Sequence, residues 1–296
     1  MSKTGVLIWR YLFESGDRRR LAKQVQDLSD LERILDLPYL DDGEKGHLFD
    51  VYQMPLLPED APVMINIHGG GLFASYKEVN VTFNYEWARL GYRVVSISYR
   101  RIPETTLIHQ IRDVMAALRY LKEHATDLHL DPERCVITGD SAGALLALFA
   151  LGIGKSPVLQ ERFGIPGAGI PFRAAGLISI MLDTQRKDLM RAISDMVTEP
   201  DDAGQPWEEY LLDPAKLLEE AELPPLFLVT SEQDLIGKDT RKLDRLLTET
   251  DRPHTMLDFP RGEERKLVHV FSVCYPMYPE SREVFQRMDR FFREVL

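Results

Sequence analysis

Short apolar runs alternate with amphipathic stretches from residue 63 onward, a pattern typical of strands separated by helices. The runs are rich in β-branched residues and have the length of buried strands. This strand–helix–strand alternation predicts an α/β fold with a mostly parallel central sheet flanked by helices. The predicted strands are 63–68, 93–99, 135–138, 174–180, 226–230 and 254–259, and the predicted helices are 105–126, 144–151, 240–247 and 280–295.

Three stretches fall outside this alternation. Residues 1–37 are predicted to be helical, because apolar residues recur there at three- and four-residue steps. Residues 46–54 form a weaker strand-like piece. Residues 183–223 are charged and proline-containing, and we expect an insertion above the carboxyl ends of the strands. The expected organisation is an N-terminal helical segment (1–40) that is part of a small helical cap, and a main domain (41–296) with the cap insertion at about 183–223. The N-terminal apolar stripe is Leu21, Val25, Leu28, Leu31 and Leu35.

The composition and charge of the chain argue against several classes of protein. The 296 residues have 44% hydrophobic and 28% charged side chains and a net charge of −11, so nucleic acid is not an expected partner. No run of about 20 apolar residues predicts a membrane span, and no secretory signal is recognised. Cys135 and Cys274 make neither a disulfide framework nor a metal-binding spacing. We therefore expect a cytoplasmic protein without a metal.

A Gly-Asp-Ser-Ala-Gly sequence at 139–143 lies between a predicted strand and a predicted helix. This context is the one in which a G-x-S-x-G pattern forms a sharp turn that exposes a nucleophilic serine. Gly139 and Gly143 would keep the strand and the helix from colliding, and the hydroxyl of Ser141 would be held clear of the sheet. The alternative is a glycine-flanked turn with an ordinary surface serine.

A serine nucleophile needs hydrogen-bond donors for the oxyanion that it creates. A His-Gly-Gly-Gly run at 68–71 follows the first strong strand, and glycines let backbone N–H groups approach a ligand closely. The N–H groups of Gly70 and Gly71, joined by that of Ala142, are the predicted oxyanion hole. His68 is expected to be structural.

The acid of a catalytic triad should follow the serine and precede the histidine. Asp234 lies just beyond the strand predicted over 226–230, where a carboxylate can reach the upper rim of the sheet. An acid at the start of the next helix is the alternative interpretation. Glu232 and Asp239 are weaker candidates for the same role.

Two histidines follow the predicted acid. His254 begins the last strand at its amino end, which is far from Ser141. His269 lies in the loop after that strand, at the edge where the serine is expected. We therefore predict that His269 is the general base.

The motifs at 68–71 and 139–143, with the strand segment 224–234, resemble the hormone-sensitive-lipase-like branch of the α/β-hydrolases, which includes many bacterial esterases. The similarity spans roughly residues 45 to 295. The resemblance implies an α/β-hydrolase catalytic domain that hydrolyses short-chain carboxylic esters through an acyl-enzyme, without a metal or organic cofactor. By resemblance, the triad is Ser141, Asp234 and His269, and the oxyanion is bound by Gly70, Gly71 and Ala142.

Two departures from the family pattern stand out. Ile180-Met181-Leu182-Asp183 replaces a small polar residue followed by proline, a change that bears on the shape of the substrate pocket. His-Val-Phe at 269–271 replaces the more usual His-Gly-Phe. An amidase, a formamidase or a peptidase could use the same triad, and a non-catalytic small-ligand-binding protein could use the same fold. The expected partner is a small-molecule ester, and a homodimer is one assembly that the sequence allows.

Overall fold

The computed structural model describes residues 3–24, 28–186 and 191–296. These residues contain one eight-stranded sheet. Its strands are β1 (Glu32–Pro38), β2 (Leu48–Gln53), β3 (Val63–Ile67), β4 (Arg93–Ile97), β5 (Cys135–Asp140), β6 (Ala175–Ile178), β7 (Leu226–Ser231) and β8 (His254–Phe259). Their order is β1-β2-β4-β3-β5-β6-β7-β8. β2 is antiparallel to both of its neighbours, whereas β3 to β8 form a parallel array. The predicted mostly parallel sheet is confirmed.

Helices cover both faces of this sheet, as the alternating pattern predicts. They are α1 (Lys3–Lys23), α2 (Val81–Arg89), α3 (Leu107–Glu123), α4 (Ala142–Lys155), α5 (Pro157–Phe163), α6 (Arg191–Ser194), α7 (Glu208–Leu212), α8 (Leu217–Glu220), α9 (Gly237–Glu249), α10 (Phe271–Cys274) and α11 (Pro279–Arg293). The four helices predicted in the main domain correspond to α3, α4, α9 and α11. The sequence patterns do not predict α2 and α5.

Two apolar layers hold the sheet between them. α3, α4 and α9 bury residues such as Ile111, Leu145 and Leu243 in the layer on one face. α2 and α11 bury residues such as Trp87 and Met288 in the layer on the other. β3, β4, β5 and β7 are buried along their whole length, as expected for parallel strands covered on both faces.

The helix prediction for residues 1–37 is right for α1 and wrong over its last part, because Glu32–Pro38 form the edge strand β1. Pairing with β2 outweighs the helical spacing of the leucines, because the extended backbone gains partners along the sheet edge. The register shifts between Ile34 and Leu37, where Asp36 has a φ of 58°. Of the predicted stripe, Leu35 is exposed on this strand, and Val25 lies outside the described residues.

The insertion between β6 and β7 contains the short helices α6, α7 and α8, and residues 187–190 lie outside the described part. The carbonyl of Val197 accepts a hydrogen bond at 3.0 Å from the N–H of Leu107, at the start of α3. Since α3 follows β4, this contact lies near the carboxyl ends of the strands. The predicted partly helical character of 183–223 is confirmed, while the division of the chain into cap (1–40 and the insertion) and catalytic domain (41–296) stays a prediction.

Within the described ranges, no single helix is both long and apolar enough to cross a membrane. α4 and α5 meet the length and composition criterion only when they are taken together, and they are bent by 114° relative to each other.

Candidate active site

Ser141 occupies the sharp turn between β5 and α4. Its backbone has a φ of 53° and a ψ of −116°, an uncommon conformation for a residue with a side chain, and its N–H donates to the carbonyl of Ile178 at 2.8 Å. The turn depends on glycine. A Cβ at Gly143 would collide with the carbonyl oxygen of Ile67, and a Cβ at Gly139 would collide with the Gly143 backbone. Strand and helix therefore approach too closely here for any larger residue.

His269 and Asp234 meet Ser141 at the carboxyl edge of the sheet. The Nε2 atom of His269 lies 2.9 Å from Oγ of Ser141, and its Nδ1 atom lies 2.7 Å from Oδ1 of Asp234. The carboxylate also accepts hydrogen bonds from the N–H of Ile236 at 3.0 Å and from the hydroxyl of Thr230 at 2.9 Å. The structure thus brings the three predicted side chains into one hydrogen-bonded chain.

Asp234 is ionised in this arrangement. Burial by itself raises the pKa of a carboxyl group, but the hydrogen bond and charge of His269 outweigh it and lower the pKa of Asp234 to about 2. An ionised carboxylate at Nδ1 fixes the imidazole with Nδ1 as the donor. Nε2 then presents its lone pair to the hydroxyl of Ser141, which is the geometry that a general base requires.

The glycine run at 69–71 lies beside these three hydrogen-bonded side chains. Its backbone has a conformation that excludes larger residues. Gly70 has a φ of 123°, and a Cβ there would meet the carbonyl of Ala74; Gly71 has a φ of 60°. Within the part of the chain that the structure describes, the N–H groups of Gly70 and Gly71 donate to no protein acceptor. Ala142 is the first residue of α4, where an N–H group also points out of the helix.

Asp140 and Asn80 hold this glycine loop, and the sequence analysis gives neither a role. The Asp140 carboxylate accepts a hydrogen bond from the N–H of Gly69 at 3.0 Å and one from the side-chain amide of Asn80 at 2.7 Å. Burial raises the pKa of Asp140, although these two hydrogen bonds oppose the shift. The position of Asp140 inside the serine motif was an available signal, whereas no local pattern connects residue 80 to it.

Ser179 is a third residue near the site that the sequence did not single out. Its hydroxyl accepts a hydrogen bond from the N–H of Val270 at 3.2 Å, next to His269. A hydrogen bond from Ser179 also helps to lower the pKa of Asp234. The available signal was its place directly after β6, the strand between those that carry the nucleophile and the acid.

His68 is a structural residue, as expected. Its ring is fully buried and stacks on Tyr99 with centroids 4.4 Å apart, and burial lowers its pKa to about 4. A neutral, enclosed imidazole of this kind supports the loop. His254 lies at the amino end of β8, with Nε2 3.2 Å from a carboxylate oxygen of Asp244.

Glu232 and Asp239, the weaker candidates for the acid, form hydrogen bonds with other groups. The Glu232 carboxylate accepts a hydrogen bond from the N–H of Arg261 at 3.2 Å. Asp239 accepts one from the N–H of Asp183 at 2.9 Å and lies 3.4 Å from a guanidinium nitrogen of Arg186. The structure brings neither carboxylate to the imidazole of His269.

The N-terminal helix is fastened to the loop that follows the glycines. Arg10 on α1 is buried, and its guanidinium donates at 2.5 Å to the carbonyls of Phe73 and Ile102 and pairs with Glu104 at 2.5 Å. The ring of Phe13 packs edge-on against Phe73, with centroids 5.8 Å apart. The start of the chain therefore contributes directly to the wall around the glycine loop.

Sequence comparisons show similarity to bacterial ester hydrolases. The BD-FAE family model matches residues 49–163. Esterase LipQ of Mycobacterium tuberculosis is 33% identical over 151 residues, half of this chain but 34% of LipQ. An acetyl-hydrolase of Streptomyces hygroscopicus is 26% identical over 251 residues, covering 79% of this chain and 76% of that protein. The match to LipQ thus spans about a third of that relative.

Solved structures extend the similarity to nearly the whole chain. A crystal structure of inhibited Esterase B from Lactobacillus rhamnosis superposes with a TM-score of 0.90 and 25% identity, covering 99% of this chain and 96% of that one. A second crystal structure of Esterase B, at the same TM-score and identity, contains a tributyrin phosphonate inhibitor. A hyperthermophilic esterase from Pyrobaculum calidifontis shares the fold, with a TM-score of 0.74 at 21% identity.

Proposed function

We infer that this chain, an α/β-hydrolase similar to the hormone-sensitive-lipase-like bacterial esterases, is a serine carboxylesterase that hydrolyses short-chain carboxylic esters. The observation that carries the proposal is the hydrogen-bonded chain from Asp234 through His269 to Ser141. The N–H groups of Gly70 and Gly71 in the adjacent glycine loop, which have no acceptor among the described residues, support it. The similarity to an acetyl-hydrolase and to Esterase B supports ester substrates with short acyl groups.

The acylation step uses each of these groups. Nε2 of His269 takes the proton of the Ser141 hydroxyl as Oγ attacks the ester carbonyl. Asp234 keeps the imidazole oriented and stabilises its charged form. The N–H groups of Gly70, Gly71 and Ala142 bind the negative oxygen of the tetrahedral intermediate, where each donor contributes about 10²–10³ in rate. Collapse of the intermediate releases the alcohol, which takes the proton from the imidazolium.

Deacylation repeats the sequence with water. The imidazole of His269 removes a proton from water, which attacks the acyl-enzyme, and the same N–H groups hold the second oxyanion. Ser141 recovers its proton as the carboxylic acid leaves. No step calls for a group beyond this chain, a small ester and water.

The cellular setting belongs to the proposal as well. Cys135 and Cys274 are free thiols, which fits the reducing conditions of a cytoplasmic enzyme. The formal net charge of −11 supports a small-molecule substrate rather than a nucleic acid. A homodimer stays a prediction.

A panel of p-nitrophenyl esters tests the reaction class. We expect acetate and butyrate esters to be hydrolysed faster than a long-chain ester and much faster than a p-nitroanilide. Ser141→Ala should lower kcat by about 10⁴ or more, because the nucleophile is lost while the fold is kept. Faster cleavage of the anilide would make the protein an amidase, and no turnover of any substrate would make it a binding protein.

A further inference from the structure

We propose that a surface cavity beside α3 binds a small organic dianion through Arg112 and Arg119. The cavity has a volume of about 390 Å³, which lies in the range of small-molecule sites. Its walls come from α3, from the segment after β4 that carries Arg100, and from the loop at 164–166. Ser141 and the other residues of the candidate active site do not line it, so the two sites are distinct.

One of the three arginines in the cavity is already neutralised. The guanidinium of Arg100 lies 2.6 Å from Oδ1 and 2.9 Å from Oδ2 of Asp113, a two-pronged ion pair. Asp113 is buried and also faces Nε2 of His47 at 3.2 Å. This ion pair therefore forms one wall of the cavity, and the positive charge of Arg100 is balanced by Asp113.

The other two arginines lack such a partner within the part of the chain that the structure describes. Among the described residues, the guanidinium of Arg112 contacts only a ring face, that of Trp207, at 5.6 Å from its centroid. Arg119 donates one long hydrogen bond, of 3.4 Å, to the carbonyl of Pro166. Burial lowers the pKa of Arg119, and Glu123, one turn further along α3, opposes this shift without forming an ion pair within the described structure. Both arginines thus line the cavity, and neither guanidinium has an ion-pair partner among the described residues.

The surroundings determine which ligand fits these charges. Arg112 and Arg119 are seven residues apart, so they lie on one face of α3 about 10 Å from each other along its axis. Apolar side chains, including Leu40, Ala116 and Ile165, line the rest of the cavity. Guanidinium groups pair preferentially with carboxylate and phosphate oxygens. The ligand is therefore a small body with two negative charges, either a dicarboxylate or a phosphate monoester.

Calorimetric titration of the full chain with glutarate and with phenyl phosphate tests this site and separates the two chemistries. We expect saturable binding of at least one probe with a Kd of about 1 mM or tighter, weakening as ionic strength rises. Arg112→Gln and Arg119→Gln should each weaken binding about tenfold, since each removes one charge-assisted contact. The neutral analogue glutaramide should not bind.

Arg134→Gln is the matched control, because Arg134 is a half-exposed arginine that pairs with Asp60 away from the cavity. It should bind the probe as the unmodified chain does, and all three variants should retain ester hydrolysis. Labelling Ser141 with a phosphonate should leave probe binding unchanged. The proposal is overturned if neither probe binds, if Arg112→Gln and Arg119→Gln bind as tightly as Arg134→Gln, or if phosphonate labelling abolishes binding.

Discussion

Nε2 of His269 lies 2.9 Å from Oγ of Ser141, although the two residues are 128 positions apart in the chain. The parallel strands explain this proximity. β5, β6, β7 and β8 are consecutive neighbours in the sheet, so the segments that follow their carboxyl ends meet at one edge. Ser141 follows β5, Asp234 follows β7 and His269 follows β8. The topology therefore assembles the candidate triad from three separate loops.

Replacing Asp234 should prevent His269 from acting as a base although the imidazole is still present. Asp234→Asn places an amide where Nδ1 of His269 requires an acceptor, which favours the wrong tautomer at Nε2. We expect kcat for p-nitrophenyl butyrate to fall by about 10⁴. Steady-state kinetics of the purified variant measure this change.

Glu232→Gln is the matched control for that substitution. Glu232 lies two residues earlier, but its carboxylate bonds to the backbone of Arg261 rather than to the imidazole. The kcat of Glu232→Gln should stay within about threefold of that of the unmodified protein. Equal losses in both variants would contradict the assignment of Asp234.

Replacing the valine after His269 should cost less stability with glycine than with alanine. Val270 has a φ of 51°, a conformation that costs a β-branched residue energy and that glycine adopts freely. Val270→Gly should therefore be more stable than Val270→Ala by about 1 kcal/mol. At Val273, inside the helix α10, alanine should be the more stable replacement by about 1 kcal/mol. Urea unfolding of the four variants measures the difference in stability between glycine and alanine at each position. If the same residue were the more stable one at both positions, the strained conformation of Val270 would be contradicted.

The buried carboxyl group of Asp140 should make stability depend on pH. Its pKa is raised from the usual 3.8 by burial, so the folded protein holds this proton more tightly than the unfolded chain does. Asp140 therefore favours folding most below about pH 4, and the benefit is lost as pH rises through its folded pKa. The free energy of unfolding of the unmodified protein, minus that of Asp140→Asn, should decrease as pH rises above 4. A pH-independent difference would argue against the raised pKa.

The contact between the N-terminal helix and the glycine loop should contribute measurably to stability. Arg10→Met leaves the carbonyls of Phe73 and Ile102 without their donor, and we expect a loss of about 2–4 kcal/mol in the free energy of unfolding. Arg18→Met, on the exposed side of the same helix, should cost less than about 0.5 kcal/mol. Similar values for the two variants would show that Arg10 does not fasten the helix.

Features encoded by short-range patterns were predictable from the sequence. The predicted range of the last strand, 254–259, coincides with β8, and the other predicted strands agree to within about two residues at each end. The serine motif at 139–143 and the strand-end positions of Asp234 and His269 predicted side chains that the structure brings together. A hydrogen bond from Gly69 to Asp140 joins the predicted glycine run at 68–71 to the serine motif. Each of these inferences needed only neighbouring residues and the rule that parallel strands end at one edge.

Features that depend on distant partners were not predictable in this way. β1 is a strand because β2 pairs with it, although its leucines have helical spacing. The hydrogen bond between Asn80 and Asp140 joins segments 60 residues apart. Arg112 and Arg119 lie on a helix whose pattern is ordinary, and only the packing of the 164–166 loop turns that face into a cavity wall. Tertiary contacts, which carry no local signal, decide all three.

Covalent labelling with a fluorophosphonate tests the central claim most directly, since only an activated serine beside an oxyanion hole reacts quickly with it. Peptide mapping by mass spectrometry after labelling identifies the modified residue. We expect one adduct, on Ser141, with Asp234→Asn labelled far more slowly and Ser141→Ala not labelled. An unmodified Ser141, or equal labelling of the Ser141→Ala variant at another residue, would contradict it.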